Sequence, residues 1–136
     1  MKLTSSSQVQ SWDEDRSSTT TPRVVPAIVK TSLPDLKANL TTHYIMTYVP
    51  SGDAHFQLTM SMTAEAFGGK EGTFIAHGTG TFAATTGLSA TFESIDGTAT
   101  GSLAELGKIY GEFKQEWEKS GEHKGGEVVY TFTFEV

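Results

Sequence analysis

The run His55-Phe56-Gln57-Leu58-Thr59-Met60-Ser61-Met62-Thr63-Ala64-Glu65-Ala66-Phe67-Gly68-Gly69-Lys70-Glu71-Gly72-Thr73-Phe74-Ile75-Ala76-His77-Gly78-Thr79-Gly80-Thr81-Phe82 alternates residue character, breaks at two glycines, and alternates again. A period of two sends successive side chains to opposite faces of a strand, whereas a helix repeats its apolar positions every three to four residues. Gly68-Gly69-Lys70 supplies turn chemistry, because glycine takes positive φ without a steric penalty. The stretch therefore predicts a hairpin, 55–67 against 73–82.

The same signal recurs along the chain. Residues 8–12, 24–33, 40–49, 88–95, 109–117 and 128–136 also read as strands, and Pro50-Ser51-Gly52-Asp53, Asp96-Gly97 and Gly125-Gly126 read as turns. One short helical candidate remains, a single turn in 101–107 with Ser102 as cap and Gly107 as stop. Eight mostly antiparallel strands without a helical layer must close or sandwich to protect their edges. The expectation is an all-β fold, a closed eight-stranded barrel first and a sandwich second. With 136 residues, the chain is read as a single β-barrel domain over 1–136, with a mobile polar loop at about 13–22.

Composition narrows the function classes. The absence of cysteine excludes disulfides, a thiolate nucleophile, thiolate zinc sites and iron–sulfur clusters. A net charge of −6, with the ten Lys and Arg scattered, argues against nucleic acid. No stretch approaches the roughly 20 apolar residues of a membrane helix, and the start lacks the apolar core of a secretory signal, so the expected location is cytoplasmic, with no membrane partner. No nucleophile elbow, phosphate loop or dinucleotide fingerprint occurs, and no cofactor is expected. Hairpin register keeps His43, His55 and His77 about 12 Å or more apart on the outward face, too far to share a metal.

Alternation then sorts the side chains. The inward face carries Tyr44, Met46, Tyr48, Phe56, Met60, Met62, Phe74, Phe82, Phe92, Phe113, Gln115, Trp117, Tyr130 and Phe132. Gly78, Gly80 and Gly111, with Ala76 and Ala90, remove volume from the same face, and eight strands enclose either a filled core or room for one small ligand. In such an interior Tyr44, Tyr48 or Tyr130 would orient a ligand oxygen or act as general acid, and the methionines and aromatics would line an apolar molecule. The leading expectation is a barrel that binds a small hydrophobic metabolite and folds it for a cofactor-independent cyclisation or isomerisation. The alternatives are a non-catalytic carrier and a structural barrel with a filled core. Outward Val24, Ile28, Ile45, Val49, Ile75, Ile95 and Val129 suggest a homo-oligomer.

Several motifs in order carry a family resemblance: Ser11-Trp12-Asp13-Glu14, Tyr44-Ile45-Met46-Thr47-Tyr48, Gly69-Lys70-Glu71-Gly72-Thr73-Phe74, Gly80-Thr81-Phe82 and Gly101-Ser102-Leu103-Ala104-Glu105-Leu106-Gly107. From about residue 8 to the C-terminus the chain resembles DUF3224, a domain-of-unknown-function family with an allene-oxide-cyclase-like eight-stranded barrel. The resemblance implies a closed, oligomeric barrel able to hold a small apolar molecule, in an architecture that includes cofactor-free cyclases. Relatives tend to carry a Gln-His pair around Ala76, His77 and Gly78, and a Glu-Arg pair where Met60 and Ser61 stand. Any site built on those groups does not transfer to this chain.

Overall fold

Alternating residues become strands throughout the computed structural model, which describes residues 1–14, 23–50, 53–83, 87–115 and 128–134. In chain order the strands are β1 (Lys2–Ser5), β2 (Gln8–Glu14), β3 (Arg23–Leu33), β4 (Ala38–Tyr48), β5 (Ala54–Phe67), β6 (Lys70–Ala83), β7 (Gly87–Ser94), β8 (Tyr110–Gln115) and β9 (Val128–Thr133). They form one antiparallel sheet of nine strands in the order β1-β9-β8-β7-β6-β5-β4-β3-β2. The expected closed barrel of eight strands is therefore corrected to a nine-stranded sheet curled into a half-barrel. Its edges, β1 and β2, share no ladder of hydrogen bonds among the described residues.

The extra strand is β1, whose Leu3 lies opposite Phe132 on β9. Only Ser6 and Ser7 separate it from β2, so the two edges of the sheet must approach each other at this end. Asp35 secures the link. Its carboxylate accepts hydrogen bonds from the Ser6 backbone N–H at 3.0 Å and from the Ser6 and Ser5 hydroxyls at 3.2 and 3.4 Å. Those donors, the Ser6 N–H foremost, hold the Asp35 pKa below its ordinary value. Ser7 adds a hydroxyl bond to the Val128 carbonyl on β9.

A carboxylate with a lowered folded pKa stabilises the fold above its unfolded pKa, here 3.8, and loses that contribution as the pH falls through the folded value. Asp35→Asn is thus expected to lower the melting temperature at neutral pH, the difference from the wild type shrinking as the pH falls below 3.8 and through the folded value. Melting curves across the acidic range check this. A constant difference at every pH would show that the charge is not the anchor.

The β5–β6 hairpin turns through Gly68 and Gly69, at φ of 62° and 80°, with Phe67 opposite Lys70. Two positive φ values in a two-residue loop match the right-handed twist of the strands. The register shifts between Ala64 and Phe67, so His77 faces Thr59, whereas a turn centred near Gly69, as the sequence suggests, would set it opposite Ser61. The slip is two residues, and every side chain keeps its face. On β4–β5 the pairs His43–Thr59 and Thr47–His55 are those a turn centred near Ser51 sets.

Two short 3-10 turns bring apolar plugs to the core. Pro34–Leu36 buries Leu36, and Gly101–Glu105 buries Leu103. The second replaces the expected α-helical turn in 101–107. Ser102 does not cap it, because its hydroxyl accepts the Glu71 N–H at 2.8 Å and donates to the Glu71 carbonyl at 3.1 Å, tying the turn to β6. Of the stretch at about 13–22, Asp13 and Glu14 belong to β2, and 15–22 lie outside the described residues.

Candidate functional site

The inward parity expected for the strands holds across β4 to β9. Tyr44, Met46, Phe56, Met60, Met62, Phe74, Phe92, Phe113, Tyr130 and Phe132 are all buried. Phe82 and Gln115 are half-buried, and Trp117 lies outside the described residues. Ring contacts cross the interior without a break. Trp12 stacks on Tyr44 at 6.0 Å, Tyr44 meets Phe56 edge-on at 5.2 Å, and Phe56 faces Phe113 at 6.4 Å. From Phe113 the chain passes to Tyr130 at 4.9 Å and Phe92 at 6.3 Å, and Phe92 reaches Phe132 at 5.7 Å. Phe132 and Phe67 close the far end at 5.1 Å. These are contact separations for aromatic rings.

Nor do the inward glycines leave a hole. A Cβ on Gly111 would fall 2.3 Å from the Phe92 ring, and one on Gly80 would fall 2.5 Å from the Phe56 ring. The volume those glycines give up is taken by phenylalanine.

Of the three tyrosines expected inward, Tyr44, Tyr48 and Tyr130, two are brought together. Tyr44 on β4 and Tyr130 on β9 share a hydrogen bond across the interior, and Thr31 bonds Tyr130. Burial raises the pKa of both phenols above the ordinary value of 10.0. A phenol so desolvated is a weaker acid than one in water and stays protonated across the neutral range. Beside them Thr42 is fully buried. Tyr48 stands apart at the end of β4, where its hydroxyl donates to Glu14 Oε1 at 2.8 Å. Thr31, Thr42, Tyr44 and Tyr130 thus add four buried hydroxyls to a largely apolar interior, and among the described residues Ser5 and Ser94 are buried as well. Strand parity puts Thr42 and Thr31 on the inward face, but a threonine on an apolar face carries no signal of a role.

The outer face carries a groove of about 930 Å³. Strand pairing lines up one row across it: His43, Thr59, His77, Glu93, Tyr110, Thr133 and Lys2. His77 Nε2 lies 3.6 Å from Glu93 Oε1. The shifted hairpin places His43 and His77 two strands apart in one row, about 10 Å rather than the expected 12 Å or more. No group of three metal-ligating side chains forms among the described residues. A smaller depression of about 310 Å³ adjoins the groove and shares Ile45, Gln57 and Thr79 with it. The outward Thr, His and Glu positions were legible as a polar face, but the groove depends on sheet curvature, which alternation does not encode.

Among the described residues no helix is long and apolar enough to cross a membrane. No curated protein matches the chain. A crystal structure of a protein with unknown function from the DUF3224 family of Shewanella oneidensis MR-1 is similar, with a TM-score of 0.67 and 16% sequence identity over 98% of this chain and 95% of that one. At that identity the likeness concerns the fold alone. The family model described as protein of unknown function (DUF3224) matches residues 3–134, and with all but the outermost residues covered, the chain belongs to the DUF3224 family.

Proposed function

We propose that this protein is a non-catalytic interaction module that works through the outer face of its sheet and assembles with copies of itself. The observation that carries the reading is the packed interior: Met60, Met62, Phe113 and Phe132 are fully buried within a continuous set of ring contacts. Raised phenol pKa values weaken the case for Tyr44 or Tyr130 as an acid, and Tyr48 is remote from both. A cofactor-independent cyclase or isomerase of the allene-oxide-cyclase kind needs a hollow for its substrate, so that reading has less support.

What the outer face offers is an apolar strip. Pro26 lies opposite Ile45, with Val24 and Ile28 flanking Pro26 on the same side of β3, and all four are exposed. Ile45 is 50% exposed at the lip of the groove. Ile75 and Ile95 make a separate exposed pair, joined by the Ile95 N–H to the Ile75 carbonyl. Contiguous exposed aliphatics of this kind mark association surfaces. The lack of cysteine suits the reducing cytoplasm in which we place it.

Light scattering coupled to size exclusion tests the reading. The wild type is expected to run as an oligomer and Ile45→Asp as a monomer, with a melting temperature changed by no more than about 2 °C, as for other surface substitutions. A wild type that stays monomeric at the highest concentration it tolerates overturns the proposal.

A further inference from the structure

The groove on the outer face encloses about 930 Å³, near the upper end of the range for small-molecule sites. Two rows of side chains make its floor. Beside the row through His77, Glu93 and Tyr110 runs a second, Ile45, Gln57, Thr79, Thr91, Glu112 and Thr131, each paired with the next across a strand boundary. What this floor displays is hydrogen-bonding capacity. The threonines are β-branched and hold few rotamers, so a ligand bonded to their hydroxyls orders little that was free. His77 Nε2 and Glu93 Oε1 stand 3.6 Å apart, beyond hydrogen-bond length, so both can still bond a hydroxyl placed against them. Next to Glu93 in the row comes Tyr110, whose side chain is 54% exposed.

The lining selects among ligands. Leu58 and Phe92 are buried in the core, which leaves an apolar molecule little but Ile45 at the lip. An anion meets the carboxylates of Glu93 and Glu112 against one lysine, Lys2. A peptide strand finds no free backbone, because β4 to β9 are each paired on both sides. A neutral polyol suits what remains. We propose that the groove binds a neutral, extended oligosaccharide, with the C–H face of one sugar ring on Tyr110 and its hydroxyls on Glu93 and His77. An extended cellulose-like chain advances per ring by about one strand spacing, about 4.8 Å, so successive rings lie over successive strands. The inference rests on the outer face being the working surface, and it names the ligand of that face. Tyr110 on β8 lies four strands from Ile45 on β4, so copies meeting along the Ile45 strip leave this end of the groove open.

The probe is cellotetraose, with maltotetraose, whose chain curves, and the anionic tetragalacturonic acid as controls. Titrations are followed at the Thr91, Glu93 and Tyr110 amides in heteronuclear NMR spectra. Saturable shifts of all three are expected with cellotetraose, at an affinity at least about tenfold above either control. Tyr110→Ala should weaken binding by about tenfold or more, the effect of removing one aromatic anchor, while Tyr110→Phe, which keeps the ring, should stay within about threefold of the wild type. Both side-chain changes are at an exposed position, so melting temperatures should move by no more than about 2 °C. The proposal is overturned if cellotetraose shifts none of these amides saturably, if Tyr110→Ala binds as the wild type does, or if either control binds as tightly. Oligomeric state is a separate readout. A wild type that assembles but ignores cellotetraose overturns this inference alone, and a monomer that binds it overturns the assembly reading alone.

Discussion

Gly78→Ala is expected to destabilise the protein by at least about 3 kcal/mol, lowering the melting temperature by on the order of 10 °C. Gly78 occupies an inward position on β6, opposite Phe92 on β7. A methyl group there would fall 2.0 Å from the Thr91 carbonyl oxygen and 2.7 Å from the Phe92 Cα. Both are backbone atoms of the paired strand, so no rotamer change relieves the clash and the β6–β7 ladder must part. Gly69→Ala provides the contrast. Nothing lies within 4 Å of a Cβ at that turn position, and only its φ of 80° resists, which costs about 1–2 kcal/mol. Thermal unfolding of the two variants separates crowding from backbone strain. Equal losses would mean that the strands do not approach as closely at Gly78 as the geometry requires.

Gly78 also shows where the sequence stops informing. Alternation assigned it correctly to the inward face, and the same rule placed Gly80 and Gly111 there. What a glycine leaves room for is a different question. An empty interior and a phenylalanine folded over the gap obey the same pattern, and only the curvature of the sheet decides between them. Here the rings of Phe92 and Phe56 take the space.

The other departures share that cause. β1 has a single apolar side chain facing its neighbour, Leu3, too little for a pattern, and its partner β9 is more than a hundred residues away. The β5–β6 register was misplaced because two glycines in left-handed conformation centre the turn between them, and the shift near Ala64 then sets the pairing beyond. Tyr48 has the parity of Tyr44 but sits at a strand end, where a side chain leans to the rim and finds Glu14. The meeting of Tyr44 with Tyr130 joins strands five places apart in the sheet, a contact that exists only once the sheet is curled. Faces and strands were thus readable from local chemistry, while filling, closure and cross-sheet contacts were not.

Phe113→Ala is expected to cost about 4 kcal/mol, the largest loss of any single truncation considered. The ring is fully buried and stands at the junction of the aromatic chain, touching Phe56, Phe92 and Tyr130. Two terms add: the lost transfer of the ring from water, and the void left among neighbours held by their own strands. Because that void is apolar and about the size of benzene, benzene should raise the melting temperature of the variant and leave the wild type unchanged. A hollow interior would behave differently. Its lining ring would lose few contacts on truncation, the cost would fall toward the transfer term of roughly 1.5–3 kcal/mol, and benzene would stabilise the wild type as well. Denaturant melts of both proteins with and without benzene therefore test the packed interior on which the non-catalytic reading depends, and stabilisation of the wild type by benzene would return the interior to consideration as a ligand site.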